Sequence, residues 1–417
     1  MSNAIPGESN PTRPGEPSPV PTRVLWATYA VGFTSNALVL MLKVLVPLWA
    51  IRIGLSPGEI GLAIGAGGVM PFLFGIHGGS LMDRLGTRRV TMVFAAASTM
   101  FTALYPALPF VAALFLLQLL SGLTTNMGWV GAQSLIVQFG RGNTIFISRF
   151  SLVSRLGTLT APVLVGASWD LFGHWGAFGF CTAWAATVMI ALAMVPKHLV
   201  EATAEKAGER VGWRDIVPRL SDYIQAFAMM AIPAVMFIVV VTYLRIASSA
   251  MQGSIYVVYL ENIGMTGTLI GILIAVAEGG GVFGTQAAAP MERVMKPHWV
   301  LLLNVGLSIF FIAITPYLGG LFVLLLIAAT VRGAAQGLSQ PVMFAILSRA
   351  VSQREQGMSI GLRSTANRLA TMTVPAIMGY IVELTTMELS FVILGGILMA
   401  MCAMVGLVIR RIPGFKT

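Results

Sequence analysis

Charge is what this sequence has least of. Only 10% of its 417 residues are Asp, Glu, Lys or Arg, where an ordinary soluble domain carries about 25%. That is too few solvating side chains to cover so apolar a chain in water, so lipid must be the solvent for much of its surface. Cysteine is almost as scarce. Cys181 and Cys402 each sit inside an apolar stretch, which excludes a disulfide framework and a thiolate metal site and leaves small buried packing residues. A nucleotide-binding loop, a nucleophile–base pair and paired carboxylates at membrane depth are all missing. No cofactor, no metal and no enzymatic activity are therefore expected. Residues 1–22 lack the basic start and apolar core of a signal peptide; with six prolines they read as a disordered tail.

What the chain has is apolar residues (56%) and glycine (45 of them), the latter suited to close packing of membrane helices. Twelve stretches are long and apolar enough to span: 24–51, 58–80, 89–105, 110–138, 149–170, 175–195, 234–260, 267–289, 299–315, 320–347, 360–382 and 389–409. Ser56-Pro57-Gly58-Glu59 opens the second with a capping box and Pro at the first helical position. The expected organisation is a tail (1–22), a six-helix bundle (23–196), a linker (197–229) with an amphipathic helix over 213–223, a second six-helix bundle (230–411) and a short tail (412–417). With both termini in the cytoplasm, nineteen of the 26 Lys/Arg fall on cytoplasmic segments and one, Arg52, on an outer loop. That bias predicts a multi-pass protein of the cell (inner) membrane with both termini inside. It also explains the net charge of +10 without nucleic acid as a partner.

The two halves repeat. Arg155-Leu156, Thr158, Thr160, Pro162, Gly166, Asp170 and Phe178 recur 213 residues later as Arg368-Leu369, Thr371, Thr373, Pro375, Gly379, Glu383 and Phe391. Gly54, Gly61 and Gly122 recur as Gly264, Gly271 and Gly333. Both copies begin on the same side, a parallel repeat about an axis along the membrane normal.

Between the second and third spans stands Gly79-Ser80-Leu81-Met82-Asp83-Arg84-Leu85-Gly86-Thr87-Arg88-Arg89. This resembles the signature loop of the major facilitator superfamily, at the place where that family has it. The resemblance, together with the repeat and span count, covers residues 24–411. It implies an all-α fold of twelve transmembrane helices in two pseudo-symmetric six-helix bundles, working as a secondary transporter by alternating access. It further implies a gating loop at Gly79, Asp83, Arg84, Gly86 and Arg88, in which Asp83 caps the eleventh span. The first, fourth, seventh and tenth spans would line a central cavity. Where the family's drug exporters carry Arg in the fourth span, this chain has Gln118, and their Gly-Pro in the fifth span is here Ala161-Pro162.

Ionisable residues at membrane depth are costly and are functional candidates. Here they are Lys43, Arg155, Arg245, Glu278, Arg332, Arg363 and Arg368, none on the third, sixth, ninth or twelfth span. Polar residues accompany them at helical spacing: Asn36 with Lys43; Gln118, Ser121 and Thr125, beside Asn126; Arg245, Ser249, Gln252 and Tyr256; Arg332 and Gln336. Six cations against one acid predict a small anionic substrate, a carboxylate or phosphate ester, bound by Lys43, Arg245, Arg332, Asn36, Gln252, Tyr256, Gln336, Asn126, Arg155 and Arg368. A basic residue on the first and seventh spans also resembles the organic-anion branches of the superfamily. Glu278 is expected either to carry a coupled proton or to balance a neighbouring cation; symport and exchange both remain open. The competing reading is a drug/proton antiporter for hydrophobic compounds. Lipid, the substrate and a proton or counter-ion are the expected partners, and the chain is expected to act as a monomer.

Overall fold

The computed structural model describes residues 21–140, 143–196, 228–350 and 356–411. These form thirteen α-helices and two short 3-10 turns, with no strand among the described residues. The helices are α1 (Thr22–Arg52), α2 (Pro57–Leu85), α3 (Thr87–Leu104), α4 (Val111–Gly140), α5 (Thr144–Ala193), α6 (Pro233–Gln252), α7 (Ile255–Asn262), α8 (Gly267–Gln286), α9 (Ala288–Val294), α10 (Pro297–Ala313), α11 (Phe322–Ala350), α12 (Gln356–Leu384) and α13 (Met387–Ile409). Residues 1–20, the linker with its expected surface helix over 213–223, and the tail after 411 lie outside the described residues.

Eight helical stretches among the described residues are long and apolar enough to cross a membrane. One of them, α5, crosses twice. Gly173 breaks it with φ 63 and ψ −167, a conformation open to glycine and strained for other residues. The two arms of α5 run in opposite directions along α1 and α3. Ser154 and Phe150 meet Gly32, Asp170 reaches the far end at Gly267, and the returning arm brings Leu192 back to Arg88 at the start of α3. The remaining passes are α3, α10 and α12, which are shorter or more polar. The total is twelve, as the sequence predicts.

The seventh span differs from expectation. A single helix was predicted over 234–260, but α6 and α7 are separated at Gly253 and Ser254. Ser254 has φ −134 and ψ −108, and its hydroxyl donates to the Ala250 (2.7 Å) and Met251 (3.3 Å) carbonyls. A hydroxyl that competes for helix carbonyls beside a glycine is a physical cause of such a break. The eighth span, expected over 267–289, has its helix end at Gln286, and α9 follows after Ala287. At α2 the predicted capping box is present: the Glu59 N–H donates to Ser56 Oγ (3.2 Å) and the Ser56 N–H donates to Glu59 Oε2 (2.8 Å).

The halves meet along two crossings, α2 on α12 and α5 on α8. A methyl group on Gly61 would overlap the Pro375 carbonyl oxygen, and one on Gly271 would overlap the Pro162 carbonyl oxygen. These four residues are two repeat pairs, so the same backbone-to-backbone contact is made twice. Tyr105, Phe178 and Phe391 are among the largest fully buried side chains. Aromatic and aliphatic residues dominate the faces turned outward, including Val93, Leu171, Phe283 and Leu407, as expected where lipid is the solvent.

Candidate functional site

The helices enclose a cavity of about 540 Å³ between the halves. Nine of the ten predicted binding residues border it: Asn36, Lys43, Asn126, Arg155, Arg245, Gln252, Arg332, Gln336 and Arg368. Glu278 borders it too. Tyr256 does not; it is 3% exposed and lies behind Arg332, whose guanidinium carbon is 5.9 Å from the ring centroid. The break after Gln252 carries the seventh span off its original helical face, so a four-residue spacing no longer brings Tyr256 to the cavity. Gln340 and Asn367 also line it. Sequence reasoning passed over both, although Gln340 stands one helical turn beyond Gln336 and Asn367 adjoins Arg368.

Two guanidinium–amide pairs organise the walls. Arg332 Nη1 donates to Gln252 Oε1 at 2.8 Å, tying α11 to the end of α6. Arg368 Nη2 donates to Asn126 Oδ1 at 2.6 Å, tying α12 to α4 across the two halves. In each pair the amide's acceptor is taken and its NH₂ end remains. Gln336 Nε2 donates to Ser308 Oγ (3.1 Å) and to the Arg245 carbonyl (3.4 Å), which fixes α6 against α10 and α11. On α4, Gln118 is held from behind: the Tyr105 hydroxyl donates to Gln118 Oε1 at 2.9 Å and shares a 2.7 Å bond with Ser121 Oγ.

The buried unpartnered polar atoms of the cavity-lining residues are all donors. Arg245 Nε, Arg332 Nη2, Gln252 Nε2 and Asn126 Nδ2 are buried N–H groups without a hydrogen-bond partner among the described residues. All four belong to residues that line the cavity. Lys43 is solvent-accessible in mid-helix because it borders the same space. Glu278 is near enough to act electrostatically on Lys43, Arg245 and Arg332, yet no hydrogen bond or ion pair joins it to them among the described residues. N–H groups of this kind are chemically suited to donate to acceptor oxygens.

At the end of the bundle opposite the start of α1, two carboxylates cross between the halves. Asp170, near the end of the first arm of α5, accepts from the Gly267 N–H (2.8 Å), the Thr268 N–H (2.7 Å) and the Thr268 hydroxyl (2.5 Å) at the start of α8. Glu383, at the end of α12, accepts from the Gly58 N–H (3.2 Å) and the Ser56 hydroxyl (2.7 Å) at the start of α2. The repeat shows these two residues as a pair, but sequence reasoning gave them no role. The signal was present: each acid ends a span opposite a helix that opens with a Ser or Thr cap.

The loop between the second and third spans, expected to act as a gate, is seen in part. Gly86 has φ 89, and the Arg88 Nε donates to the Leu192 carbonyl at 3.0 Å. Arg88 thus ties the loop to the end of the sixth span within its own half. Gly79 lies within α2 with open space where a Cβ would be. The side chains of Asp83 and Arg84 lie outside what is described.

Comparison with known proteins follows the same lines. The chain superposes on the crystal structure of nucleoside transporter NupG (TM-score 0.71, 14% identity, covering 92% of this chain and 98% of that one). It also superposes on a POT family transporter in complex with 5-aminolevulinic acid (0.73, 13%, 95% and 97%) and on peptide transporter POT in complex with sulfate (0.74, 16%, 93% and 94%). No curated protein sequence matches it significantly. The sequence profile of the Major Facilitator Superfamily matches residues 25–248 and, a second time, residues 238–416. On that match, and on the twelve-pass architecture around one polar cavity, the chain belongs to the Major Facilitator Superfamily and has the fold of its membrane transporters.

Proposed function

We propose that this protein carries a small organic anion, a carboxylate or phosphate ester, across the cell membrane by alternating access, coupled to a proton or to exchange. The observation that carries the reading is the sign of the cavity: five cationic side chains, one carboxylate, and four orphaned buried donors. Buried cations are unfavourable until an anion compensates them. Fold alone does not select a substrate, and the superposed transporters named above handle nucleosides and peptides. The charge bias supports cytoplasmic termini, and a cavity lined by one chain supports a monomer. That no ion pair to Glu278 is found among the described residues favours a proton-carrying role over a structural one. Rocking of the halves has to release the contacts of Asp170 and Glu383 at the outer end.

The test is uptake of labelled organic anions into proteoliposomes, comparing wild type with Arg245→Ala. Saturable uptake that falls at least about tenfold in the variant, the loss of one buried charge-assisted contact, is expected. Stabilisation of the purified protein by cationic hydrophobic compounds, with no response to any anion, would favour an exporter instead.

A further inference from the structure

Three of the four orphaned donors belong to the two guanidinium–amide pairs, and the separation of those pairs says more about the substrate. One pole consists of Arg332 and Gln252. Arg332 is 2% exposed and Gln252 9% exposed; Nη2 of the first and Nε2 of the second are unpartnered. The other pole is Arg368 with Asn126, which is 9% exposed and has Nδ2 unpartnered. The two poles are built alike. In each, a guanidinium donates to the amide oxygen, which leaves the amide NH₂ as a buried, unpartnered donor beside a charged group.

Their depths differ. In α4, Gly122 lies against the Gly67 carbonyl; in α11 its repeat mate, Gly333, lies against the Ala277 carbonyl. Pseudo-symmetry puts these crossings at one level, and both helices run in the same direction. Arg332 is one residue before its crossing and Asn126 four residues after the corresponding one. Five residues of helix amount to about 7–8 Å along the axis. Arg368 agrees with this depth: it lies four residues from Met372, which packs on Gly65 and Gly68 beside Gly67. A single carboxylate, about 2–3 Å across its oxygens, reaches one pole and not the other.

Charge points the same way. The cavity holds Lys43, Arg155, Arg245, Arg332 and Arg368 against Glu278. One monoanion leaves most of that surplus uncompensated.

Resting on the anion reading above, we infer that the substrate is a dianion with its two acidic groups separated by a spacer of a few carbons. One end is held by Arg332 and Gln252 in the second half. The other is held by Arg368 and Asn126 at the seam between the halves. Such a ligand also explains a cavity of about 540 Å³, large for a simple inorganic anion and within the range of small-molecule sites.

The experiment is competition for binding to the purified, full-length protein. The probes are straight-chain dicarboxylates of four to six carbons, a phosphorylated three-carbon acid, and monocarboxylates of matched length. At least one dianion is expected to bind about tenfold or more tightly than its monoanionic counterpart, the effect of one added charge-assisted contact. Arg332→Leu and Arg368→Leu, each removing the charge of one pole, are expected to bring that dianion down to the level of the monoanion. Dianions binding no better than matched monoanions in the wild-type protein would overturn this inference and leave the anion reading standing. No response to any anion of either set would overturn both. The decisive comparison needs only wild-type protein, so a variant that folds poorly does not obscure it.

Discussion

Asp170 and Glu383 stand 213 residues apart in the sequence and make the same contact with opposite halves: each caps the first turn of a helix in the other six-helix bundle. A carboxylate at a helix N-terminus meets orphaned N–H groups and the positive end of the helix dipole together. The two contacts close the same end of the molecule, Asp170 with three bonds and Glu383 with two, and an opening at that end would break both.

Neutralising them should loosen that end. Asp170→Asn and Glu383→Gln keep the shape and remove the charge, at about 1 kcal/mol each, or roughly a fivefold shift in population per contact. Spin labels at Arg52 and Asn262, exposed residues at the ends of α1 and α7, should report a longer-distance population that grows in the double variant. An unchanged distance distribution would show that these caps carry no gating energy.

The crossings of the halves should be intolerant of even one carbon. Gly61→Ala and Gly271→Ala each place a methyl group onto a proline carbonyl of the facing helix. Backbone does not yield as a flexible side chain does, so overpacking of this kind costs about 1–3 kcal/mol. Melting of the detergent-solubilised protein should fall in both variants by similar amounts, because the contacts are repeat mates. Gly75→Ala, with nothing within 4 Å of the added carbon, should leave the melting point unchanged or raise it slightly.

The sequence made some of this legible and hid the rest, for physical reasons. Repeat glycines could be paired by offset alone, and Gly54 and Gly264 do share a positive φ (79 and 84) in equivalent turns. Ionisable residues at membrane depth were conspicuous because they are costly there, and all but Arg363 border one cavity. Tyr256 was misplaced because helical spacing assumes an unbroken helix, and a serine hydroxyl competing for carbonyls gives no periodic signal. The guanidinium–amide pairs were out of reach: the 242 residues between Asn126 and Arg368 are bridged only by the way the two bundles dock. Tyr105 escaped notice because it lies at the end of the third span, where an aromatic residue is expected at a membrane interface.

That tyrosine has a measurable role. Its hydroxyl bonds Gln118 and Ser121 together, and it is fully buried with its ring stacked on Phe178 at 5.3 Å. Tyr105→Phe keeps the stack and deletes the bonds, which should cost about 0.5–1.5 kcal/mol of stability and free the Gln118 amide to turn. A lowered melting point with an altered apparent affinity for the transported solute is expected. An unchanged affinity would place Gln118 outside the ligand's reach.

Glu278 is the one acid among the cations of the cavity. If its task is to carry a proton, the carboxylate must be able to gain and lose one during the cycle, and glutamine in its place is permanently neutral. Glu278→Gln preserves size and polarity and should leave the fold intact. Accumulation driven by a pH gradient should then fall to the level seen without a gradient, while exchange of labelled for unlabelled anion across the membrane persists. A structural ion-pair partner behaves differently, since its loss leaves a buried cation uncompensated and weakens folding and both transport modes together. Measuring gradient-driven uptake, exchange and melting on the same preparation therefore separates the two roles. Exchange and uptake lost together with a lower melting point would assign Glu278 to the structure and leave the coupling to another group.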